Sequence, residues 1–307
     1  MQSVLAPVGP YAESTAILSG VLFVGGTLVF LGVMVAIVLA VRSSSRARRF
    51  LSRDTTILAF GAGLPIVTLS ALLIWGLRIE VGLEAGPPSA LQIEVRGHQW
   101  WWHVRYLEEG GRWDFVTANE IRIPTGVPVE LRLRSADVIH SFWVPSLAGK
   151  LDMVPGRTNR LTVQADEPGV FRGQCAEYCG GPHALMAFHV VAETPADFEA
   201  WRERQRRPAP EPVGEEARRG REVFLASGCE LCHRVAGTPA RGTVGPDLTH
   251  VGGRLHLMSG ILRSHRGTFG GWIASAQHLK PGNQMPSYDT LPGADLRALA
   301  TWLEGLE

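Results

Sequence analysis

The sequence predicts a multidomain membrane protein: a two-helix transmembrane hairpin, then a Greek-key β-sandwich, then an all-α domain. Three observations lead there. Two long stretches near the N-terminus carry no charge. The hydrophobic period changes from helical to two near residue 90. The helical pattern returns beyond residue 214, around a Cys-x-x-Cys-His pentad. A chain of 307 residues has room for two soluble domains plus anchors.

Residues 1–85 form the anchor. Residues 14–41 and 55–77 are uncharged and mostly apolar, and each exceeds the ~20 residues a bilayer-spanning helix needs. Pro65 lies inside the second stretch, where a membrane helix tolerates it with a kink. The connecting segment holds Arg42, Arg46, Arg48, Arg49 and Arg53 against Asp54 alone, and nothing before Arg42 is basic. Excess arginine marks the cytoplasmic side. Both termini, and everything after about residue 80, are therefore expected on the outer face of a cell membrane, with lipid around the two helices. A cleaved signal peptide would instead carry basic residues ahead of a shorter apolar run. The net charge of +1 gives no reason to expect nucleic-acid binding.

Residues 90–203 form the sandwich. Val129, Leu131 and Leu133 alternate with Glu130, Arg132 and Arg134, and Leu161 and Val163 alternate with Thr162 and Gln164. Such segments are half-buried strands. Gly110-Gly111, Pro124-Thr125-Gly126, Pro155-Gly156 and Pro168-Gly169 separate them as turns. Many short strands with regular turns predict the Greek-key sandwich.

Late in this domain comes Cys175-Ala176-Glu177-Tyr178-Cys179, followed by His183 and Met186. On a tight loop this spacing aims two thiolates, an imidazole and a thioether at one small volume. Soft sulfur with imidazole and a weak thioether is a copper electron-transfer ligand set. Two cysteines so close can also bridge two metals. A second histidine is then needed, and His140 in Val138-Ile139-His140-Ser141-Phe142-Trp143 is the best upstream candidate. The chain has four cysteines in two close pairs, which would also permit disulfides in any of three pairings. The histidines and methionines at ligand spacing beside both pairs favour metal. A lone methionine in an apolar loop is usually core, and Met186 departs from that only through its register with Cys179 and His183.

Residues 204–214, Arg-Gln-Arg-Arg-Pro-Ala-Pro-Glu-Pro-Val-Gly, are a semi-rigid linker. Residues 215–307 follow. Cys229-Glu230-Leu231-Cys232-His233 is the attachment signal for c-type haem, in which Cys229 and Cys232 bond the vinyl groups and His233 ligates iron. A zinc site or redox dithiol is the other chemistry open to such a pentad. Leu248, Leu255, Ile261, Trp272 and Trp302 could line an apolar pocket, although periodicity alone reads them as core.

The run Gly97-His98-Gln99-Trp100-Trp101-Trp102, then His140-Ser141-Phe142-Trp143-Val144-Pro145, then Val154-Pro155-Gly156-Arg157, then Gly173-Gln174-Cys175 through Met186 resembles subunit II of haem–copper cytochrome c oxidases, with all four blocks in the family's order. With the anchors and the haem pentad, the resemblance covers nearly the whole chain and is to the caa3 type, in which a class I cytochrome c domain is fused behind a cupredoxin-like domain. It implies a dinuclear copper A centre bridged by Cys175 and Cys179, with His140 and His183 each on one copper. Met186 is then a weak ligand to one ion, and the Glu177 carbonyl serves the other. The Glu177 side chain would also reach an interfacial magnesium. Trp100 falls at the tryptophan through which the family's electrons enter, while His98 and His189 read as structural.

Thr243-Val244-Gly245-Pro246-Asp247-Leu248 resembles the class I segment whose proline carbonyl holds the proximal imidazole, and Asn283-Gln284-Met285-Pro286 the segment carrying the distal methionine. Met258 is the rival ligand. Met285 is favoured by Pro286 and by its place before a last helix, Ala294 to Leu303. One covalent haem c with His233 and Met285 as axial ligands is thus implied.

The implied function is electron transfer from this haem to copper A, and on to a haem in catalytic subunit I, where oxygen is reduced. The implied donor is a cytochrome c or a cytochrome bc-type complex, and the implied location is a bacterial inner membrane. A membrane nitric oxide reductase subunit carrying copper A would share the anchors, the copper ligands and the haem, and differ in its catalytic partner. A copper-delivery protein would not need the haem, and a quinol oxidase subunit would lack the copper ligands. The family commonly has a glutamate in its second membrane helix where this chain has Leu58; Asp54 lies one turn away.

Overall fold

The computed structural model describes residues 2–42, 45–84, 91–108 and 110–307. They fall into two compact units. One holds the two apolar helices and the described part of the segment between them; the other holds the strands, the helices that follow them and residues 2–12.

The first long helix, α1 (Pro10–Arg42), has 33 residues. At 1.5 Å per residue it is about 50 Å long, more than a hydrocarbon core of ~30 Å requires. The second begins as α3 (Asp54–Leu58) and continues as α4 (Leu64–Glu84). The turn between them, Ala59–Gly63, is π-helical. Pro65 explains it: proline has no amide for the carbonyl four residues back, and a local π adjustment accommodates the loss. The Thr68 hydroxyl also donates to the Leu64 carbonyl at 2.8 Å. Both stretches are long and apolar enough to cross a membrane. The arginine-rich connection, expected as a loop, holds the short helix α2 (Ser45–Leu51), since arginine, alanine and leucine are all good helix formers.

Ten strands build the sandwich: β1 (Leu91–His98), β2 (Trp101–Leu107), β3 (Trp113–Ala118), β4 (Glu120–Pro124), β5 (Val129–Ser135), β6 (His140–Trp143), β7 (Leu151–Met153), β8 (Asn159–Val163), β9 (Gly169–Cys175) and β10 (Ala187–Glu193). One sheet has the order β3-β2-β1-β5-β8 and the other β4-β10-β9-β6-β7. The β1–β5 and β4–β10 pairs are parallel; the others are antiparallel. The expected alternation holds in β5, where Val129, Leu131 and Leu133 are fully buried. In β10 six of seven residues are buried, because the helical domain covers the face that alternation would leave wet. His189 of β10 stacks on His256 of that domain, with ring centroids 4.0 Å apart.

Helix α5 (Pro195–Gln205) closes one end. The Thr194 hydroxyl caps it by accepting the Asp197 N–H, and Phe198 and Trp201 sit in the sandwich core. It takes in Arg204 and Gln205, expected in the linker. The rest of that segment is tied to the helical domain: the Ala209 N–H donates to Ala236 O at 2.9 Å.

The helical domain contains α6 (Glu215–Ala226), a 3₁₀ turn (Cys229–Leu231), α7 (Arg266–Leu279) and α8 (Gly293–Glu304). It is not wholly α, since β11 (His256–Leu257) and β12 (Leu262–Arg263) form a minimal antiparallel pair. Helices α6 and α8 cross at Gly220, where a Cβ would lie 2.1 Å from the Ala298 carbonyl oxygen.

Tyr106 ties the two sheets together. Tyr106 on β2 is fully buried, and its hydroxyl donates to Arg122 O and accepts from Arg122 N on β4, both at 2.7 Å. Tyr106→Phe should leave two backbone groups short of a partner, at about 1–3 kcal/mol each. The thermal midpoint should drop by several degrees, at about 2–4 °C per kcal/mol for a unit of this size. An unchanged midpoint would show that the hydroxyl is dispensable.

Candidate functional site

Strand β9 ends in Cys175, and the chain then turns through residues 176–182 into a 3₁₀ turn, His183–Leu185, before β10. Backbone bonds set this loop: Cys175 N–H to Met186 O at 2.9 Å, Ala176 N–H to Ser141 O at 3.0 Å, and His183 N–H to Gly180 O at 3.1 Å. Gly180 has φ +100°, which favours glycine. Neighbouring β6 begins with His140.

The loop and β6 gather the donors expected from the sequence. The Cys175 and Cys179 sulfurs are 3.8 Å apart. His140 Nδ1 lies 3.8 Å from Cys175 Sγ, and His183 Nδ1 lies 3.4 Å from Cys179 Sγ. Met186 Sδ lies 3.8 Å from Cys179 Sγ, and the Glu177 carbonyl oxygen 3.2 Å from Cys175 Sγ. His140, Cys175, Cys179 and Met186 are buried. Gly97 makes room: a Cβ there would sit 2.7 Å from the His140 ring. His98 and His189 lie outside the cluster, stacked on Trp101 and His256 respectively.

The donor set fits copper. Two sulfurs 3.8 Å apart are closer than two metal–thiolate bonds of ~2.3 Å laid end to end, so one ion can touch both. Each thiol has its own imidazole, and the thioether and carbonyl are weak donors on opposite sides. Of the tightly coupled thiols, Cys175 ionises more readily because Cys179 donates a hydrogen bond to it, against the cost of burial. The same contact, with burial, pushes Cys179 up.

Asp137 orients the first imidazole. Its carboxylate lies 2.8 Å from His140 Nε2 and accepts the N–H groups of Gln99 and Val138, each at 2.7 Å. Burial works against its ionisation, but these bonds prevail and hold the carboxyl below its usual range. With Nε2 donating to Asp137, Nδ1 offers its lone pair beside Cys175, a typical metal-ligand arrangement.

The second site is a cleft of about 1370 Å³ including its open mouth, lined by Cys229, Cys232, His233, Met258 and Met285 among others. His233 Nδ1 lies 2.7 Å from the Pro246 carbonyl, leaving Nε2 as a ligand atom. A Cβ on Gly245 would lie 2.5 Å from the His233 ring, so the ring rests on bare backbone. Burial, against the Pro246 bond, lowers the His233 pKa and favours the neutral imidazole that binds iron. Leu248 and Trp272 line the cleft as expected. Leu255, Ile261 and Trp302 do not: Leu255 is exposed, and Trp302 packs in the core against Phe224.

The two sites meet at Trp100. It lines the cleft, and its indole N–H donates to the Cys179 carbonyl at 3.0 Å. The Gln99 side-chain amide donates to the same carbonyl at 2.8 Å. The Trp100 carbonyl in turn accepts from Lys280 Nζ at 2.6 Å and from the Ser259 hydroxyl at 2.8 Å. Burial pulls the Lys280 ammonium down to about 7, the nearby Cys179 working the other way.

Sequence reasoning missed Asp137, Gln99, Ser259 and Lys280. The Asp-x-x-His spacing could have flagged Asp137, and the rarity of lysine could have flagged Lys280. Nothing in the sequence brings Ser259 to Trp100.

The profile described as cytochrome c oxidase subunit II, periplasmic domain, matches residues 105–193, and that of cytochrome c matches residues 217–307. Cytochrome c oxidase subunit 2 of Alkalihalophilus pseudofirmus is 42% identical over 220 residues, covering 71% of this chain and 62% of that protein. The Bacillus subtilis protein of the same name is 31% identical over 71% of this chain and 63% of its own length. This chain thus spans a little under two thirds of the length of these relatives. The probable cytochrome c oxidase subunit 2 of Rickettsia bellii is 35% identical over 61% of this chain and 73% of that protein. With both profiles matched in order behind two apolar helices, and a copper-type donor cluster and a haem-type cleft inside the matched regions, this chain belongs to the cytochrome c oxidase subunit II family, in the form that carries a cytochrome c domain.

Proposed function

We propose that this chain is the electron-transfer subunit of a terminal, caa3-type cytochrome c oxidase. It would take electrons at a covalent haem c and pass them to a dinuclear copper A centre and on to haem in catalytic subunit I. The observation that carries this reading is the position of Trp100, which touches both the cleft and the loop that holds Cys179. The relatives are named as oxidase subunits, which leaves the nitric oxide reductase reading without support. When bound, the two groups would supply one-electron redox chemistry.

The residues have separate tasks in this reading. Cys175 and Cys179 would bridge two coppers, with His140 and His183 completing one ion each. Met186 would tune more than hold, since a weak axial ligand chiefly shifts potential. Glu177 would contribute its carbonyl, and its side chain would reach a magnesium at the interface with subunit I. Cys229 and Cys232 would hold the haem covalently, with His233 and Met285 axial. Met285 is well anchored for this: its N–H donates to Asn283 Oδ1 and its carbonyl accepts from the Gln277 amide, both at 2.7 Å. Met258 lies in a left-handed stretch, φ +50°. A cytochrome c or cytochrome bc-type complex would be the donor. The arginines between the helices would face the cytoplasm of a bacterial inner membrane, leaving both termini and both metal domains outside.

Three outcomes test this. The mature chain should hold two coppers, with an electron paramagnetic resonance signal split by two equivalent nuclei; a four-line, single-copper signal would contradict the bridging role. Cys175→Ser should abolish the signal, while Met186→Leu should retain copper at a shifted potential. In the optical spectrum, Met285→Ala should remove the sulfur-to-iron band and Met258→Ala should not; the reverse would make Met258 the ligand. Finally, the domains are joined covalently, at an effective concentration on the order of mM for a short tether. After flash reduction of the haem domain, the copper domain should be reduced at a rate independent of protein concentration. Trp100→Ala should slow this at least tenfold with both spectra intact, and an unaffected rate would reduce Trp100 to packing.

A further inference from the structure

We propose that Lys280 is a positioning residue that pins the helical domain to the Trp100–Leu185 face of the sandwich and thereby holds Trp100 between the two metal sites. The inference rests on the electron-transfer reading above.

Lys280 is 3% exposed. Its three ammonium hydrogens have three oxygen partners: Trp100 O at 2.6 Å, Leu185 O at 3.0 Å and Ser259 Oγ at 2.9 Å. Two of these belong to the sandwich. Among the described residues, no carboxylate lies within ion-pair distance of it. A buried cation held only by neutral oxygens is costly, so its retention needs a reason beyond packing. One acceptor, Leu185, lies on the turn between His183 and Met186; the other, Trp100, reaches Cys179. A single side chain thus grips both segments that flank the copper cluster.

The surrounding chain is arranged to release this lysine for the task. Lys280 caps the C-terminus of α7, where a lysine ordinarily bonds the last carbonyls of its own helix. Here Asn283 serves them instead, donating to Ala276 O at 2.9 Å and Lys280 O at 2.7 Å. The segment opposite is strained: Met258, Ser259 and Gly260 have φ of +50°, +54° and +78°. Such a run persists only where its surroundings hold it. Gly260 presses on β10 so closely that a Cβ would lie 2.9 Å from Phe188 N, and the Ser259 hydroxyl is bonded to both Trp100 and Lys280.

The test uses the full chain in detergent, matured with haem and copper. Lys280→Met keeps the stem and removes the donors. Amide hydrogen exchange should rise at least tenfold in residues 183–187 and 257–261, while β1 and β5 stay unchanged. Haem-to-copper transfer should slow at least tenfold with both spectra retained. The copper potential should fall, because a cation beside the loop is lost. Exchange, rate and potential at wild-type values would overturn the proposal. If Lys280→Met does not fold, Ser259→Gly decides. It removes one partner of the ammonium at a residue whose φ suits glycine, and wild-type exchange in both segments would again refute the clamp. A wild-type chain lacking either metal spectrum would overturn the electron-transfer reading instead, and the exchange result would still settle the role of Lys280.

Discussion

The carbonyl of Cys179 accepts two hydrogen bonds, one from the Gln99 amide and one from the Trp100 indole. Much of the soluble unit is organised about this acceptor. It belongs to a residue whose sulfur faces Cys175, His183 and Met186. The Gln99–Trp100 segment joins β1 to β2, and the Gln99 N–H also binds the carboxylate that orients His140. The donor cluster therefore consists of more than a loop between β9 and β10. It is also held by the β1–β2 connection, through Gln99 and Trp100, and by Asp137.

The helical domain extends the same logic outward. It covers β10, and four kinds of contact hold it: the Lys280 cluster, the His189–His256 stack, the Glu120 carboxylate accepting the Leu255 N–H at 2.8 Å, and Arg122 reaching the Gly253 carbonyl. Charged and ring contacts of this sort are directional, so they set orientation where apolar area alone would allow sliding. Arg122 is also the residue whose backbone binds Tyr106. The bond that joins the two sheets and the bonds that seat the helical domain thus share one residue.

Trp100 shows why orientation matters. An aromatic residue in a sandwich is normally core, as Trp102 is here, fully buried against Phe142 and Phe188. Trp100 points elsewhere. Its indole nitrogen is used on the copper side, its carbonyl on the helical-domain side, and its ring lines the cleft. Three consecutive tryptophans thus have three environments: Trp101 stacks on His98, Trp102 fills the core, and Trp100 spans the gap.

The sequence by itself determined the elements and the donors. Uncharged stretches of sufficient length become helices whatever surrounds them, and alternation such as Val129, Leu131, Leu133 permits one buried face of a sheet. Ligands close in sequence, Cys175 to Met186 and Cys229 to His233, are brought together by one turn of chain, so their spacing already states their chemistry. Tertiary structure decided everything that depends on distant segments meeting. That β10 is buried on both faces, that the Leu255 N–H reaches Glu120, and that Lys280 lands on Trp100 follow from how two domains dock. Docking depends on hydrogen bonds between residues such as Lys280 and Leu185, 95 positions apart, and Lys280 and Trp100, 180 apart. No local period encodes such a bond, because its partners become neighbours only after both domains have folded.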